Sequence, residues 1–353
     1  MRMIKFPSIE QFRNIVADIN RTYNFVGLDE TGEAIYDISK PKPVLTFKGT
    51  VKLHGTNAGV CFNMLEGMWV QSRENIITPE KDNAGFAFFV ETNRGAFQNL
   101  FYDIMLRLNL DTNQNTISIY GEWAGKGIQK SVAIANLDKS FFIFGVKITP
   151  HPKDENDKPV AYWVDSSYLK CPEARIFNIE DYKTYSIDID FNNPQLVQNQ
   201  IIDMTIDVEN ECPVGKEFGH EGIGEGIVFS HMASDGKVYR FKSKGTKHSN
   251  SKVKTLKEVD DVKLNNIIKV ANQVCTASRL EQMLTQSCNI LNGGTIERKY
   301  LGDYIRLVIN DIIKEESDVI AEAGLEPKDI NSKVSERCRL YFFAKQNEEV
   351  GLK

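Results

Sequence analysis

Four short runs set polar or charged residues into sequence that otherwise reads as strand. The first is Lys52-Leu53-His54-Gly55-Thr56-Asn57. Strand alternation points Lys52 and His54 to one side, and Gly55 opens a turn where backbone can approach a ligand. Lys52, between Val51 and Leu53, equally suits a solvent-facing position on a half-buried strand. The second run, Ser72-Arg73-Glu74-Asn75, offers a planar guanidinium able to clamp a phosphate or carboxylate. The third, Gly121-Glu122-Trp123-Ala124-Gly125, places a carboxylate between glycines, which suits close approach to a sugar or base; either run also fits a turn on a solvated face. The fourth has two parts. Glu221 and Glu225 flank a glycine-rich bend, and Lys242 and Lys244 alternate in Arg240-Phe241-Lys242-Ser243-Lys244. That alternation puts two ammonium groups on one face and Phe241 on the other. Like charges on one face repel unless an anion compensates them, and a polyphosphate is the obvious anion. A basic edge strand that deters pairing explains the same residues.

The elements that must position these residues follow from periodicity. An amphipathic helix is expected in IEQFRNIVADINRTYNF, with Ile9, Phe12, Ile15, Val16 and Ile19 on its apolar face. VLTFKGTVKLHGTNAGVCF and GMWVQSREN read as two or three strands joined by a tight turn at LEG. FAFFVETNRGAFQNLFYDIMLRL reads as helix, with a break at Asn93, Arg94 and Gly95, and TISIYGEWAG and SFFIFGVKI return to strand. A helix is expected in NNPQLVQNQIIDMTIDVENE, then a hairpin of GEGIVFSH and GKVYRFKSK turning at Ser234-Asp235-Gly236. From residue 258 onward the pattern changes to three or four helices, the last starting near Asp329. The fold class expected is α+β: antiparallel sheets with flanking helices over residues 1–249, an N-terminal helical extension included, then an all-helical domain over 250–353.

Bulk properties narrow the class. The 353 residues are 41% hydrophobic and 26% charged, enough apolar material for a core without metals or disulfides. Six cysteines, at 61, 171, 212, 275, 288 and 338, form no paired metal or redox spacing. They are expected as reduced structural thiols. The formal charge of −5 argues against a nucleic-acid coat over the whole surface and leaves room for a local basic groove. No apolar run reaches membrane-spanning length, and MRMIKFPSIEQ lacks the apolar core of a signal peptide, so no membrane partner and a cytoplasmic location are expected.

Taken together and in this order, KLHGTN, SREN, YGEWAGKGIQ, FFIFGV, EGIVF and YRFKSK resemble the covalent nucleotidyltransferases, and within them the T4 RNA ligase 2 family. The matching runs lie within residues 48–245. The resemblance implies an ATP-grasp-like ligase domain followed by a small helical domain that helps recognise a nick. It implies an ATP-dependent RNA ligase of the polyribonucleotide synthase type, suited to RNA repair, with nicked double-stranded RNA or an RNA–DNA hybrid as partner. A monomer is expected, in the host cytoplasm if the source is a phage.

Carried over motif by motif, the resemblance makes Lys52 the nucleophile that takes AMP from ATP, with the backbone around Leu53 beside the nucleotide. Arg73 would bind phosphate or sugar, Glu122 the ribose, and Phe144 would stack on adenine. Glu225 would place the metal, Mg²⁺ or alternatively Mn²⁺, together with the reacting phosphate. Lys242 and Lys244 would hold the α-phosphate and neutralise charge as pyrophosphate departs. His54 and Asn57 would act later, when the nucleic-acid ends enter. An ordinary lysine is protonated at neutral pH and a poor nucleophile, and nearby cations with a bound metal favour the free amine.

The chain departs from the family pattern at Gly145, where an acidic residue is expected after the stacking aromatic; a shifted register would make Phe142 or Phe141 the stacker. Glu221 is the second candidate for the acidic motif and is expected to be solvated. In the helical region Arg279, Lys299 and Arg306 are candidate phosphate contacts by charge alone. Other enzymes of the superfamily, DNA ligases and capping enzymes, are disfavoured by Lys-Leu-His-Gly and by the helices after residue 245. A silent nucleotide-binding module is disfavoured because Lys52, Lys242 and Lys244 are all present.

Overall fold

The computed structural model describes residues 2–28, 34–82, 84–248, 258–290 and 293–349. In chain order its strands are β1 (Phe25–Leu28), β2 (Ala34–Tyr36), β3 (Val44–Lys52), β4 (Thr56–Asn63), β5 (Gly67–Ser72), β6 (Ile76–Ile77), β7 (Asn115–Ala124), β8 (Ser140–Pro150), β9 (Tyr162–Val164), β10 (Ile176–Asn178), β11 (Thr184–Asp190), β12 (Gly226–Met232) and β13 (Val238–Lys244). The helices are α1 (Phe12–Asn24), α2 (Phe86–Thr92), α3 (Arg94–Leu108), α4 (Gln198–Asn210), α5 (Pro213–Glu217), α6 (Asp261–Val274), α7 (Ala277–Ser287), α8 (Leu301–Glu315), α9 (Ser317–Glu322) and α10 (Pro327–Glu349). They divide into two compact units. One comprises residues 1–15, 45–189 and 200–256, the other 16–44, 190–199 and 257–353.

The first unit holds two sheets. A seven-stranded sheet runs β10-β8-β7-β4-β5-β6, with β9 also on β8, and a four-stranded sheet runs β11-β3-β12-β13. Most pairs are antiparallel, as expected, whereas β10 lies parallel to β8. One face of the larger sheet carries Ile117, Ile119, Trp123, Phe141 and Ile143 into a core with Phe86, Val90, Phe97 and Leu100 of α2 and α3. The expected helix break falls at Asn93, which caps α2 before α3 begins. Its opposite face presents Gln71, Tyr120, Glu122 and Phe142, the alternate residues of the same strands. In the smaller sheet Phe47, Val51, Ile227, Phe229 and Phe241 are buried, while Lys52, Lys242 and Lys244 alternate with them on the other face.

The second unit is mainly helical and also holds the β1–β2 hairpin. Its core joins Val270, Leu284, Tyr304, Val308, Ile312, Ile330, Cys338 and Phe342. Capping fixes two of the starts: Asp260 accepts the Lys263 N–H at 2.9 Å and Thr276 that of Arg279 at 3.2 Å. The long apolar pattern after residue 300 divides into α8 and α9, and the last helix begins at Pro327, ahead of the expected start. Proline at the first helical turn loses no hydrogen bond there, which accounts for the earlier start. Helix α1 starts at Phe12, so Ile9 lies outside it. The cysteines are free, and among the described residues no helix is long and apolar enough to cross a membrane.

Candidate active site

Strand β3 ends at Lys52, which pairs in register with Gly226, the first residue of β12. Glu225 therefore arrives beside Lys52, and β13 brings Lys244 opposite Gly226 on the other side. The result is a carboxylate shared by two lysines. Glu225 Oε2 lies 2.5 Å from Lys52 Nζ, and Oε1 lies 2.5 Å from Lys244 Nζ. His54 Nδ1 stands 3.6 Å from the same Oε2. Glu225 is only 2% exposed, whereas the Lys52, Lys244 and His54 side chains are 20%, 30% and 33% exposed, so the cluster opens toward solvent on the lysine side. Burial opposes ionisation of Glu225, but Lys52 and Lys244 outweigh it and hold the carboxyl below the usual carboxylate range.

Two glycines make this geometry possible. Gly226 has φ +148°, and a Cβ there would meet Ser243 O at 2.1 Å. At Gly55 a Cβ would meet Trp123 O at 2.4 Å, so the loop after Lys52 lies flat against β7. Glu122 on β7 accepts the Gly55 N–H at 2.9 Å, and Gln129 Nε2 donates to Gly55 O at 3.1 Å. Burial raises the Glu122 carboxyl to about 7; Lys52 and the Gly55 N–H pull it back, and Glu225 pushes with burial.

The remaining expected residues fall around this centre. Asn57 on β4 stands directly across from Glu122 and lines an open cleft of about 670 Å³ with Ser72, Asn75 and Lys81. Leu53 is buried at 5% exposure and anchors the loop. Lys242 takes part in no carboxylate pair among the described residues; burial lowers its pKa, and Lys244, Lys52 and Arg73 lower it further. Arg73 is exposed, 3.7 Å from Glu74, and reaches the cluster through its field rather than by contact. Glu221 is exposed and stays outside.

The three phenylalanines separate cleanly. Phe141 lies on the helix side of the sheet, fully buried. Phe142 faces Glu122 in register but is covered by Phe177, Tyr182 and Phe218. Phe144 occupies the irregularity where the register shifts between Tyr120 and Gly121, and its ring remains partly exposed. In the helical unit Arg279 is not an available cation. It is 15% exposed and bonded to Asp311 at 2.8 Å and Glu316 at 2.7 Å, which removes it from the candidate phosphate contacts. Lys299 and Arg306 are exposed, paired with Glu297 and Asp303.

The structure adds residues to those singled out above. Gln129 belongs to the GKGIQ run and shows its part only through its bond to Gly55. Arg240 shares the strand face of Lys242 and Lys244, a signal already present in the alternation of YRFKSK. Phe6 packs its ring 5.0 Å from Phe144, from a segment with no periodic signal.

This arrangement can bind a polyphosphate at three lysines and bring an amine to it, with a carboxylate and an imidazole at hand. The sequence model of the RNA ligase family matches residues 46–244. No curated protein matches the chain. Among solved structures, the RNA ligase of Naegleria gruberi with PPi is similar at 17% identity and a TM-score of 0.39, over 69% of this chain and 57% of that chain. A variant of the same ligase with ATP and Mn is similar at 16% identity and a TM-score of 0.41, with the same coverage. The chain thus spans 57% of the length of these solved chains.

Proposed function

The chain belongs to the RNA ligase family, and we propose that it is an ATP-dependent RNA ligase that carries AMP on Lys52. It would join 3′-hydroxyl and 5′-phosphate ends at a nick in duplex RNA or an RNA–DNA hybrid. The observation that carries this reading is the carboxylate of Glu225 held at 2.5 Å by both Lys52 and Lys244.

In the first step Lys52 Nζ gives up a proton to solvent and attacks the α-phosphorus of ATP as the free amine. A P–N bond forms, the bond to the bridging oxygen breaks, and pyrophosphate leaves. The entering triphosphate competes with Glu225 for Lys244, exchanging one anion for another at the same cation. Lys242, which makes no ion pair with a carboxylate among the described residues, is set to receive charge that develops on the departing group. Glu122, fixed by Gly55, orients the ribose, and Phe144 stacks on the base. AMP then passes to the 5′-phosphate of the nick, and the 3′-hydroxyl attacks that activated phosphate and expels AMP. Asn57 and the cleft beside it lie where the nucleic-acid ends would enter.

Among the described residues no three His, Cys, Asp or Glu side chains gather to hold a metal by themselves. Magnesium bound with a nucleotide keeps several waters and takes one or two carboxylates plus phosphate oxygens. Glu225, with Glu122 near enough to feel its charge, fits that demand, and manganese has the same preference. Bound there, the ion would polarise the phosphoryl oxygens. We assign adenylyl transfer to residues 1–249 and nick recognition to the helices of 250–353. One active site suffices on a duplex, so a cytoplasmic monomer is the proposed working form.

The test is incubation with Mg²⁺ and ATP labelled at the α-phosphate, beside Lys52→Ala. Acid-stable label on the wild type and none on the variant supports the lysyl-adenylate. Two folded, AMP-free proteins that both stay unlabelled would overturn the ligase reading.

A further inference from the structure

Arg240 is the third basic residue on one face of β13, in step with Lys242 and Lys244. No ion pair holds it among the described residues. Its guanidinium carbon stands 4.0 Å over the Trp163 ring and 5.3 Å from the Phe6 ring. Lys147 Nζ approaches the same indole at 5.7 Å, so two cations lie against one ring. Burial pushes the Arg240 guanidinium down to about 10, and Lys147 is lowered by burial and then by Arg240. A desolvated cation without a counter-charge is costly, and stacking on aromatic faces offsets part of that cost.

The same cluster reaches Phe144, the proposed base platform. Phe6 lies 5.0 Å from Phe144 and 5.3 Å from Tyr120. The segment carrying Phe6 is tied to both sheets. Ile4 N–H donates to Gln71 Oε1 at 3.1 Å, and Tyr120 Oη donates to Ile4 O at 2.7 Å. Further on, Glu10 N–H donates to Arg240 O at 3.3 Å and Lys242 N–H donates to Glu10 O at 3.0 Å. The strap thus grips β13 on either side of Phe241 and fixes where the Arg240 side chain leaves the strand.

We infer that Arg240 is a nucleotide-binding residue whose N–H groups, held flat by Trp163 and Phe6, meet the acceptor edge of a purine base seated on Phe144. This rests on the reading of Phe144 as the base platform. A guanidinium offers donors only, so its partners on a base are ring nitrogens or carbonyl oxygens. Lys242 and Lys244 remain for the phosphates. The division of labour along one strand face runs from base to phosphate.

The test is calorimetric binding of ATP and of inorganic tripolyphosphate to the 353-residue chain. Wild type is compared with Arg240→Met, which keeps the reach over Trp163 and loses the donors. The expected result is ATP binding weakened about tenfold, the loss of a good Arg–base pair, with tripolyphosphate binding unchanged. Arg240→Lys keeps the charge, loses the planar fork and is expected to show the same ATP-selective loss, which covers the case where Arg240→Met does not fold. Equal weakening of both ligands would assign Arg240 to phosphate charge, and unchanged ATP binding would reduce it to packing. Either outcome overturns the inference. A wild type that binds ATP yet never takes up label would sink the ligase reading while leaving Arg240 to be judged on binding.

Discussion

Lys52 Nζ lies 2.5 Å from Glu225 Oε2, a pair made because β3 ends where β12 begins. The second oxygen of the same carboxylate faces Lys244. A carboxylate at 2% exposure stays ionised only because two ammonium groups flank it, and each of those is held in place by the carboxylate in turn. The pairing keeps the amine of Lys52 next to the cations that would receive a triphosphate, and it keeps like charges from driving β3 and β13 apart.

Glu225→Gln removes the charge and keeps the shape. Two lysines would then face each other with no anion between them. Labelling of Lys52 is expected to fall by about 10²-fold, the usual cost of losing one fixed group at a reacting phosphate. Stability is expected to fall by about 3 kcal/mol. The sign with pH follows from the depressed carboxyl: its stabilisation is present above the unfolded-state pKa and is lost as pH falls through the lower folded value. Urea midpoints of wild type and variant should therefore converge in acid. Parallel curves down to pH 2 would show that the pair contributes nothing.

Glu122 behaves in the opposite sense. Burial raises its carboxyl to about 7, so the folded protein holds a proton that the unfolded chain has already released. Its contribution is fully present below the ordinary carboxylate pKa and is lost as pH rises through about 7. The melting temperature of Glu122→Gln, measured against wild type, is expected to gain ground between pH 5 and 7 and to hold level above that range. A constant difference across the range would place Glu122 in a solvated setting.

Much of this arrangement is legible in the sequence because strand alternation is local. Lys242 and Lys244 on one face with Phe241 on the other follows from five consecutive residues. Glu225 over Glu221 follows from the strand that begins at once after it. What alternation cannot give is the register shift at Phe144, since a bulge changes which parity faces the cleft. Nor does it give partners far apart in the chain. Ile4 meets Gln71 across 67 residues, and Arg240 meets Trp163 from a different sheet. Arg279 misleads for a related reason: its charge suggests exposure, and its burial depends on α8 packing beside it.

Gly55→Ala probes the loop without touching a charge. The new methyl would lie 2.4 Å from Trp123 O and 2.9 Å from Ala124 Cβ, and neither can withdraw easily from the end of β7, where β4 and β8 pair with it. The loop must lift, which breaks the 2.9 Å bond from Gly55 N–H to Glu122. A loss of about 1–3 kcal/mol is expected, typical of overpacking a tight site. Labelling of Lys52 should slow at saturating ATP as well, because His54 and Lys52 move with the loop. A variant as stable and as active as wild type would mean that the loop has room to spare.

In the helical unit, Arg279 ties three parts of the chain together. Its side chain bonds Asp311 at 2.8 Å, Glu316 at 2.7 Å and the Val274 carbonyl at 2.6 Å, the last at the end of α6. Arg279→Ala leaves two carboxylates, each a little over a quarter exposed, with no cation between them. Partial exposure moderates the loss, so about 2–3 kcal/mol is expected rather than the full cost of a buried pair. Arg306→Ala is the matched control. Its side chain is 70% exposed and its Asp303 partner sits one turn away, so the change is expected to stay within about 0.5 kcal/mol. Hydrogen exchange over residues 258–349 separates the two, with faster exchange expected in Arg279→Ala alone. Equal protection in both variants would show that the Arg279 pairs form without stabilising the helices around them.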